Sequence, residues 1–135
     1  MKNPKSNADA KRCRPEHLFG VDHRLAFPLW AAAAEYNIRY MLEKRQVVFT
    51  EGLRDTDRQL ELVKRGLSQT RNSKHIIGFA VDVAVLVNGS LASDLSLYAD
   101  FWEHVRRHSA EYSGQCLIRW GGEWLSFVDG THFEL

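Results

Sequence analysis

The stretch Ser73-Lys74-His75-Ile76-Ile77-Gly78-Phe79-Ala80-Val81-Asp82 sets a histidine and a carboxylate on either side of a glycine. It restricts the possible folds more than any other part of the chain. From Phe79 to Leu86 the side chains alternate: Phe79, Val81, Val83 and Val85 share one face of a strand, and Ala80, Asp82, Ala84 and Leu86 the other. An acid between two alanines, opposite a row of large apolar groups, calls for a strand backed by helices on one face and open on the other. Gly78 supplies the backbone freedom for a tight bend that returns His75 over Asp82. Two such groups do not complete a metal site. A third candidate stands in Asp129-Gly130-Thr131-His132-Phe133-Glu134-Leu135.

A chain of 135 residues is long enough to bury a core as one domain, and 44% hydrophobic with 26% charged residues fits an ordinary globule. The formal net charge of +1 gives no reason to expect nucleic acid. The charge is uneven, however. Lys2, Lys5, Lys11, Arg12 and Arg14 face a single early acid, Asp9, so a basic segment precedes a mildly acidic body. Residues 1–22 therefore read as a flexible basic arm, able to touch anionic lipid, phosphate or cell wall or simply to be solvated. Residues 23–135 read as the single folded domain, expected to be monomeric. No apolar run approaches the ~18 residues needed to span a bilayer, and the amino terminus lacks the apolar core of a secretory signal. Cys13 and Cys116 have no CxxC spacing and read as free thiols, Cys116 buried in a strand.

Helical spacing of Leu29, Ala33, Tyr36, Tyr40 and Met41 predicts a helix from His23 to about Arg45, packing that face on the core. Gln46 to Thr50 reads as a strand. Thr56 and Gln59 have capping-box spacing, so a second helix runs from there to Arg65 and stops at Gly66. Gly66 to Lys74 is polar and reads as an exposed loop on the lip of the site. After the strand Phe79–Val87, Asn88-Gly89 is a turn. A third helix follows from about Asp94 to Glu111, directing Leu97, Phe101, Trp102 and Val105 inward and ending at Ser113-Gly114. Cys116 to Trp120 and His132 to Leu135 read as strands about a Gly121-Gly122 bend. The fold class is α+β, a small and mostly antiparallel sheet with helices on one face.

Catalytic zinc takes three protein ligands and leaves a fourth position open to water. His75, Asp82 and His132 would supply two neutral nitrogens and a carboxylate. Asp129, three residues before His132 across a glycine, can sit beside the attacking water as general base and later protonate the leaving amine. Arg54, between a strand and a helix, can place a permanent cation beside a developing oxyanion. Trp120 and Trp124 flank the glycine bend, where they either wall a substrate groove or pack in the core. His17 and His23 match nothing in this pattern and read as surface residues. His104 and His108, spaced i, i+4, could share a metal, but no acidic partner is visible nearby and they read as an exposed helix face.

The ordered set of Arg54-Asp55 with Gln59, Ser73-x-His75-x2-Gly78-x-Ala80-x-Asp82, Trp120-Gly-Gly-Glu-Trp124 and Asp129-x2-His132-Phe133-Glu134 resembles the D-Ala-D-Ala carboxypeptidase and L-alanyl-D-glutamate peptidase superfamily of zinc enzymes. The phage endolysin branch is the most similar, and the resemblance covers about residues 25 to 135. It implies zinc on His75, Asp82 and His132, catalysis by Asp129, and Arg54 contacting substrate or stabilising charge. It also implies that Ser73 either supports a ligand from behind or contacts substrate. The implied substrate is the peptidoglycan stem peptide, cut at L-Ala-D-Glu, with a D-Ala bond as the rival. Aspartate rather than glutamate at 129 favours the endopeptidase branch. With no room for a wall-binding domain, a Gram-negative host is expected. The protein would accumulate in the host cytoplasm and reach the wall through a membrane lesion made by a partner such as a holin. Two rival readings remain. The signalling domain of hedgehog proteins resembles this fold and keeps zinc, which would make the chain a binding module; Asp129 and Arg54 argue against that. A structural zinc site would need a fourth protein ligand, often Cys, and the motif holds none.

Overall fold

The computed structural model describes residues 15–67 and 73–135. The basic residues 1–14, Cys13 among them, and residues 68–72 of the expected polar loop lie outside the described residues. Three helices, α1 (His23–Arg39), α2 (Thr56–Lys64) and α3 (Leu95–Ser113), accompany five strands: β1 (Arg45–Glu51), β2 (Ala80–Val87), β3 (Ser90–Leu91), β4 (Arg119–Trp120) and β5 (His132–Glu134). The sheet runs β1-β2-β5-β4, with β3 also pairing to β2. Every pairing is antiparallel.

One face of the sheet carries Phe49, Val81, Val83, Val85 and Phe133, which close the main core against Leu25, Leu29, Ala32, Ala33 and Tyr36 of α1 and Tyr98, Phe101, Trp102 and Val105 of α3. The opposite face holds only a minor cluster of Val48, Ala84 and Leu86 beside Asp82. The alternation along β2 is therefore realised, and the acid is left on the thinly covered side.

Several boundaries differ from the sequence reading, each for a local reason. Helix α1 ends at Arg39, and a 3-10 turn over Met41–Glu43 leads to Lys44 in the left-handed region (φ 57°), leaving Met41 exposed rather than in the core. Asp55 caps α2 by accepting from the Arg58 amide at 2.7 Å, in place of the capping box expected from Thr56. Cys116 is exposed and lies ahead of β4, which is only Arg119–Trp120. The Ser109 hydroxyl, on α3, accepts from the Leu117 amide at 3.1 Å, and this draws the segment onto the helix instead of the sheet. Asn88 and Gly89, both at positive φ, turn β2 into the unanticipated β3, as a type I′ hairpin requires.

Residues 15–22, expected to belong to the arm, pack on the body. Leu18 and Val21 lie against the main core, and the Asp22 amide donates to the Gly78 carbonyl at 2.9 Å. His17 is half-buried there, while His23 is exposed with Nδ1 at 3.0 Å from the Tyr112 hydroxyl. His104 and His108 do have an acidic partner: their Nε2 atoms lie 3.7 and 3.3 Å from one oxygen of Glu35 on α1, which also bonds Arg107.

Candidate metal centre

Antiparallel register builds the site. The β2–β5 pairing sets Asp82 opposite His132 and Ala80 opposite Glu134, so His132 and Glu134 share the open face with Asp82. On the other side of β2, a bulge in β1 brings Glu51, rather than Thr50, opposite Asp82. His75 arrives from the turn over residues 74–78. That turn closes through Phe79 N to the Lys74 carbonyl at 2.9 Å and is pinned to the strand end by Arg54 N on the His75 carbonyl at 2.9 Å. Gly78 sits at φ 75°, and a β-carbon there would meet the Gly20 carbonyl at 2.4 Å, so the bend admits only glycine.

His75 Nδ1 lies 2.8 Å from the Gly52 carbonyl, which accepts its proton and leaves Nε2 unprotonated toward Asp82, 3.3 Å away. His132 is arranged in the opposite sense. Its Nε2 donates to Glu134 at 2.9 Å, and its Nδ1 faces the other Asp82 oxygen at 3.1 Å. One ligand atom from each of His75, Asp82 and His132 falls within 4.8 Å of the others. Tetrahedral zinc ligands at their usual bond lengths stand about 3.4 Å apart, and the two imidazole nitrogens lie 3.3 and 3.1 Å from the two oxygens of Asp82, one each. No fourth histidine, cysteine, aspartate or glutamate joins the group among the described residues, and the Asp82 side chain stays 23% exposed on the open face.

The electrostatics are those of a coupled cluster. Burial pushes the Asp82 carboxyl up, but the His132 and His75 imidazoles facing its two oxygens outweigh it and hold the group well below the usual carboxylate range. Burial lowers His132, yet its bonds to Asp82 and Glu134 leave it above the ordinary imidazole value. Burial likewise raises Glu134, and bonds from His132 and Lys74 bring it below its usual value.

Arg54 is almost fully buried behind this group. Its guanidinium bonds Glu51, Gln59 and, at 3.5 Å, the Ser73 hydroxyl, and its Nη2 lies 3.6 Å from Asp82. Ser73 also accepts from the His75 amide at 3.1 Å, so it braces the ligand turn. Asp129 accepts through Oδ1 from the Thr131 amide at 3.1 Å and the Thr131 hydroxyl at 2.7 Å; its Oδ2 has no hydrogen bond among the described residues. Trp120 does not wall the site. It is buried, stacks on Trp102 and Phe133, and donates to the Gly130 carbonyl at 2.8 Å. The half-buried Trp124 lies instead with its ring 5.2 Å from the His132 ring.

Sequence reasoning assigned no part to Glu51 or Thr131, placed Gln59 in a capping box and in the family motif with no role at the site, and quoted Glu134 only within that motif. The period of two along a strand is the signal that would have found Glu134. The Glu51 placement depends on a bulge that nothing in the sequence announces.

Comparison with known proteins agrees with this geometry. Residues 67–135, which hold His75, Asp82, Asp129 and His132, match the profile of a family described as D-alanyl-D-alanine carboxypeptidase. The chain is 31% identical over 137 residues to the peptidoglycan L-alanyl-D-glutamate endopeptidase CwlK of Bacillus subtilis, covering 90% of this chain and 75% of CwlK. It is 32% identical over 89 residues to an L-alanyl-D-glutamate peptidase of a Listeria phage, covering 66% of this chain but 30% of the phage protein. The crystal structure of the Serratia marcescens L-Ala D-Glu endopeptidase ChiX matches with a TM-score of 0.72 and 38% identity, over 89% of this chain and 84% of ChiX. With two histidines and an aspartate converging inside the matched fold, the chain belongs to the D-alanyl-D-alanine carboxypeptidase and L-alanyl-D-glutamate peptidase family of metallopeptidases.

Proposed function

We propose that this protein is a zinc-dependent peptidoglycan peptidase that hydrolyses the L-alanyl-D-glutamate bond of the stem peptide. The observation that carries the reading is the three-donor group of His75, Asp82 and His132, open on one side, with Asp129 three residues from one of its members. Two imidazoles and one carboxylate suit zinc, and zinc bound there would polarise the scissile carbonyl and acidify a water. His75 and His132 are held in opposite tautomers by the Gly52 carbonyl and Glu134, so each turns an unprotonated nitrogen to the site. Asp129 takes the proton of the attacking water and passes it to the departing amine. Thr131 fixes Oδ1 of that carboxylate and leaves Oδ2 for the transfer. Arg54 holds Asp82 and Ser73 in place and adds positive charge behind the site.

Digestion of purified peptidoglycan should release new amino-terminal D-glutamate, identified by mass spectrometry. Appearance of D-alanine termini instead would establish the second reading, a D-Ala-specific enzyme, which the description of the matched family favours. Asp129→Ala should reduce hydrolysis by 100-fold or more, to order of magnitude, with zinc retained. His75→Ala should lose zinc. Metal loss in the first variant, or full occupancy in the second, would reverse the assignment of base and ligand. The phage relative supports a phage-type endolysin acting in host lysis. Delivery of the wild-type chain, but not Asp129→Ala, to the periplasm should then lyse cells.

A further inference from the structure

The segment from Trp124 to Asp129 joins the ring lying against His132 to the proposed base. It is a pinned loop: the amides of Trp124 and Asp129 both donate to the Gly121 carbonyl, at 3.2 and 3.0 Å. Gly121 is packed so closely beneath it that a β-carbon there would lie 2.3 Å from the Asp129 carbonyl. Between these anchors the chain turns apolar side chains outward. Leu125 is fully exposed, and Phe127 and Val128 are 53% and 55% exposed. Phe127 makes no aromatic pair among the described residues, and its backbone is left-handed at φ 51°. A bulky residue in that conformation costs free energy that glycine would not, and such residues concentrate where a site requires them.

We propose that Phe127, with Leu125 at the rim, is the apolar wall that receives the alanyl side of the scissile bond and so sets specificity for a small apolar residue there. The inference rests on the L-alanyl-D-glutamate reading above. The loop starts at Trp124, whose ring lies beside the proposed ligand His132, and ends at the proposed base, so a peptide bond placed for attack lies against it. Of the two residues flanking the bond, only alanine is apolar, and its methyl group is the part an apolar wall can desolvate.

The test uses zinc-loaded protein, a synthetic L-alanyl-D-glutamyl peptide and its glycyl counterpart. Phe127→Gly removes the ring and relieves the backbone. It should lower kcat/KM on the alanyl peptide about ten-fold or more, chiefly through KM, and bring the alanyl-over-glycyl preference close to unity. Zinc content should be unchanged and the melting temperature no lower. Leu125→Ser, at a fully exposed position, should raise KM without affecting stability. Unchanged kinetics and preference in both variants would overturn the proposal. A lower melting temperature with lost zinc in Phe127→Gly would also overturn it, because Phe127 would then be structural. If the unmodified protein cleaves neither peptide, the proposed bond fails and takes the alanyl wall with it; cleavage with kinetics indifferent to residue 127 fails the wall alone.

Discussion

Glu134 shows how one side chain can serve both histidine chemistry and local architecture. One of its oxygens accepts from His132 Nε2 at 2.9 Å, and the other meets Lys74 at 3.1 Å and Arg119 at 2.9 Å. Lys74 adjoins His75, so the turn bearing one proposed ligand and the strand bearing another are tied through a single carboxylate. An imidazole whose far nitrogen is held in this way keeps its tautomer and its orientation toward a metal. Glu134→Ala should therefore weaken zinc binding about 10- to 100-fold in chelator competition. Glu134→Gln still offers an acceptor and should recover most of that loss. Equal affinity in all three proteins would remove Glu134 from this role. The aspartate and the two histidines were legible in the sequence because their residue types are themselves the signal. Glu134 was not, because a glutamate on a strand gains this part only from what lies beside it.

Among the elements, the turn over residues 74–78 and the start of α1 form one unit. Asp22 caps α1 by accepting from the Arg24 amide at 2.9 Å, while its own amide donates to the Gly78 carbonyl. Gly78→Ala would place a methyl group against the Gly20 carbonyl at positive φ. It should lower the melting temperature and zinc affinity together, since His75 rides on that turn; full zinc affinity would separate the two. The Asp22 cap responds to acid. Hydrogen bonds from Arg24 lower its pKa from 3.8 to about 2. A group whose folded pKa is depressed stabilises the fold above its unfolded value and loses that contribution as pH falls through the folded one. Asp22→Ala should thus cost about 1 kcal/mol near neutral pH, and the difference from wild type should vanish as pH falls from about 4 to about 2, as denaturant melts at each pH would record. The cores of the elements were legible from period and composition, but their ends were not. Helix α1 ends at Arg39 with Tyr40 as its cap, the 3-10 turn that follows closes at a left-handed Lys44, and β4 is short because Ser109 captures the amide of Leu117.

At the scale of the whole molecule, the proposed ligands come from a turn and two strands separated by up to 57 residues, so bound zinc would cross-link the sheet to the loop before it. A ligand that binds only the folded state stabilises it by mass action, by about 2.7 kcal/mol at a hundredfold excess over Kd. Removing zinc with a chelator should accordingly lower the melting temperature by several degrees, and His75→Ala should melt at the same temperature with or without the chelator. A chelator effect that survives in the variant would place the stabilising ion elsewhere. The alternation from Phe79 to Leu86 with Asp82 inside it, His75 and the glycine before it, and the helical periods on either side were enough to establish an α+β fold with an acid on the open face, because element period and residue chemistry are local properties. Antiparallel register, the β1 bulge and the burial of Arg54 behind Asp82 came from packing. They depend on how distant segments meet, and so did the exchange of Trp120 for Trp124 beside the site: the two tryptophans flank the same glycine bend, and the one that reaches Trp102 and Phe133 is drawn into the core.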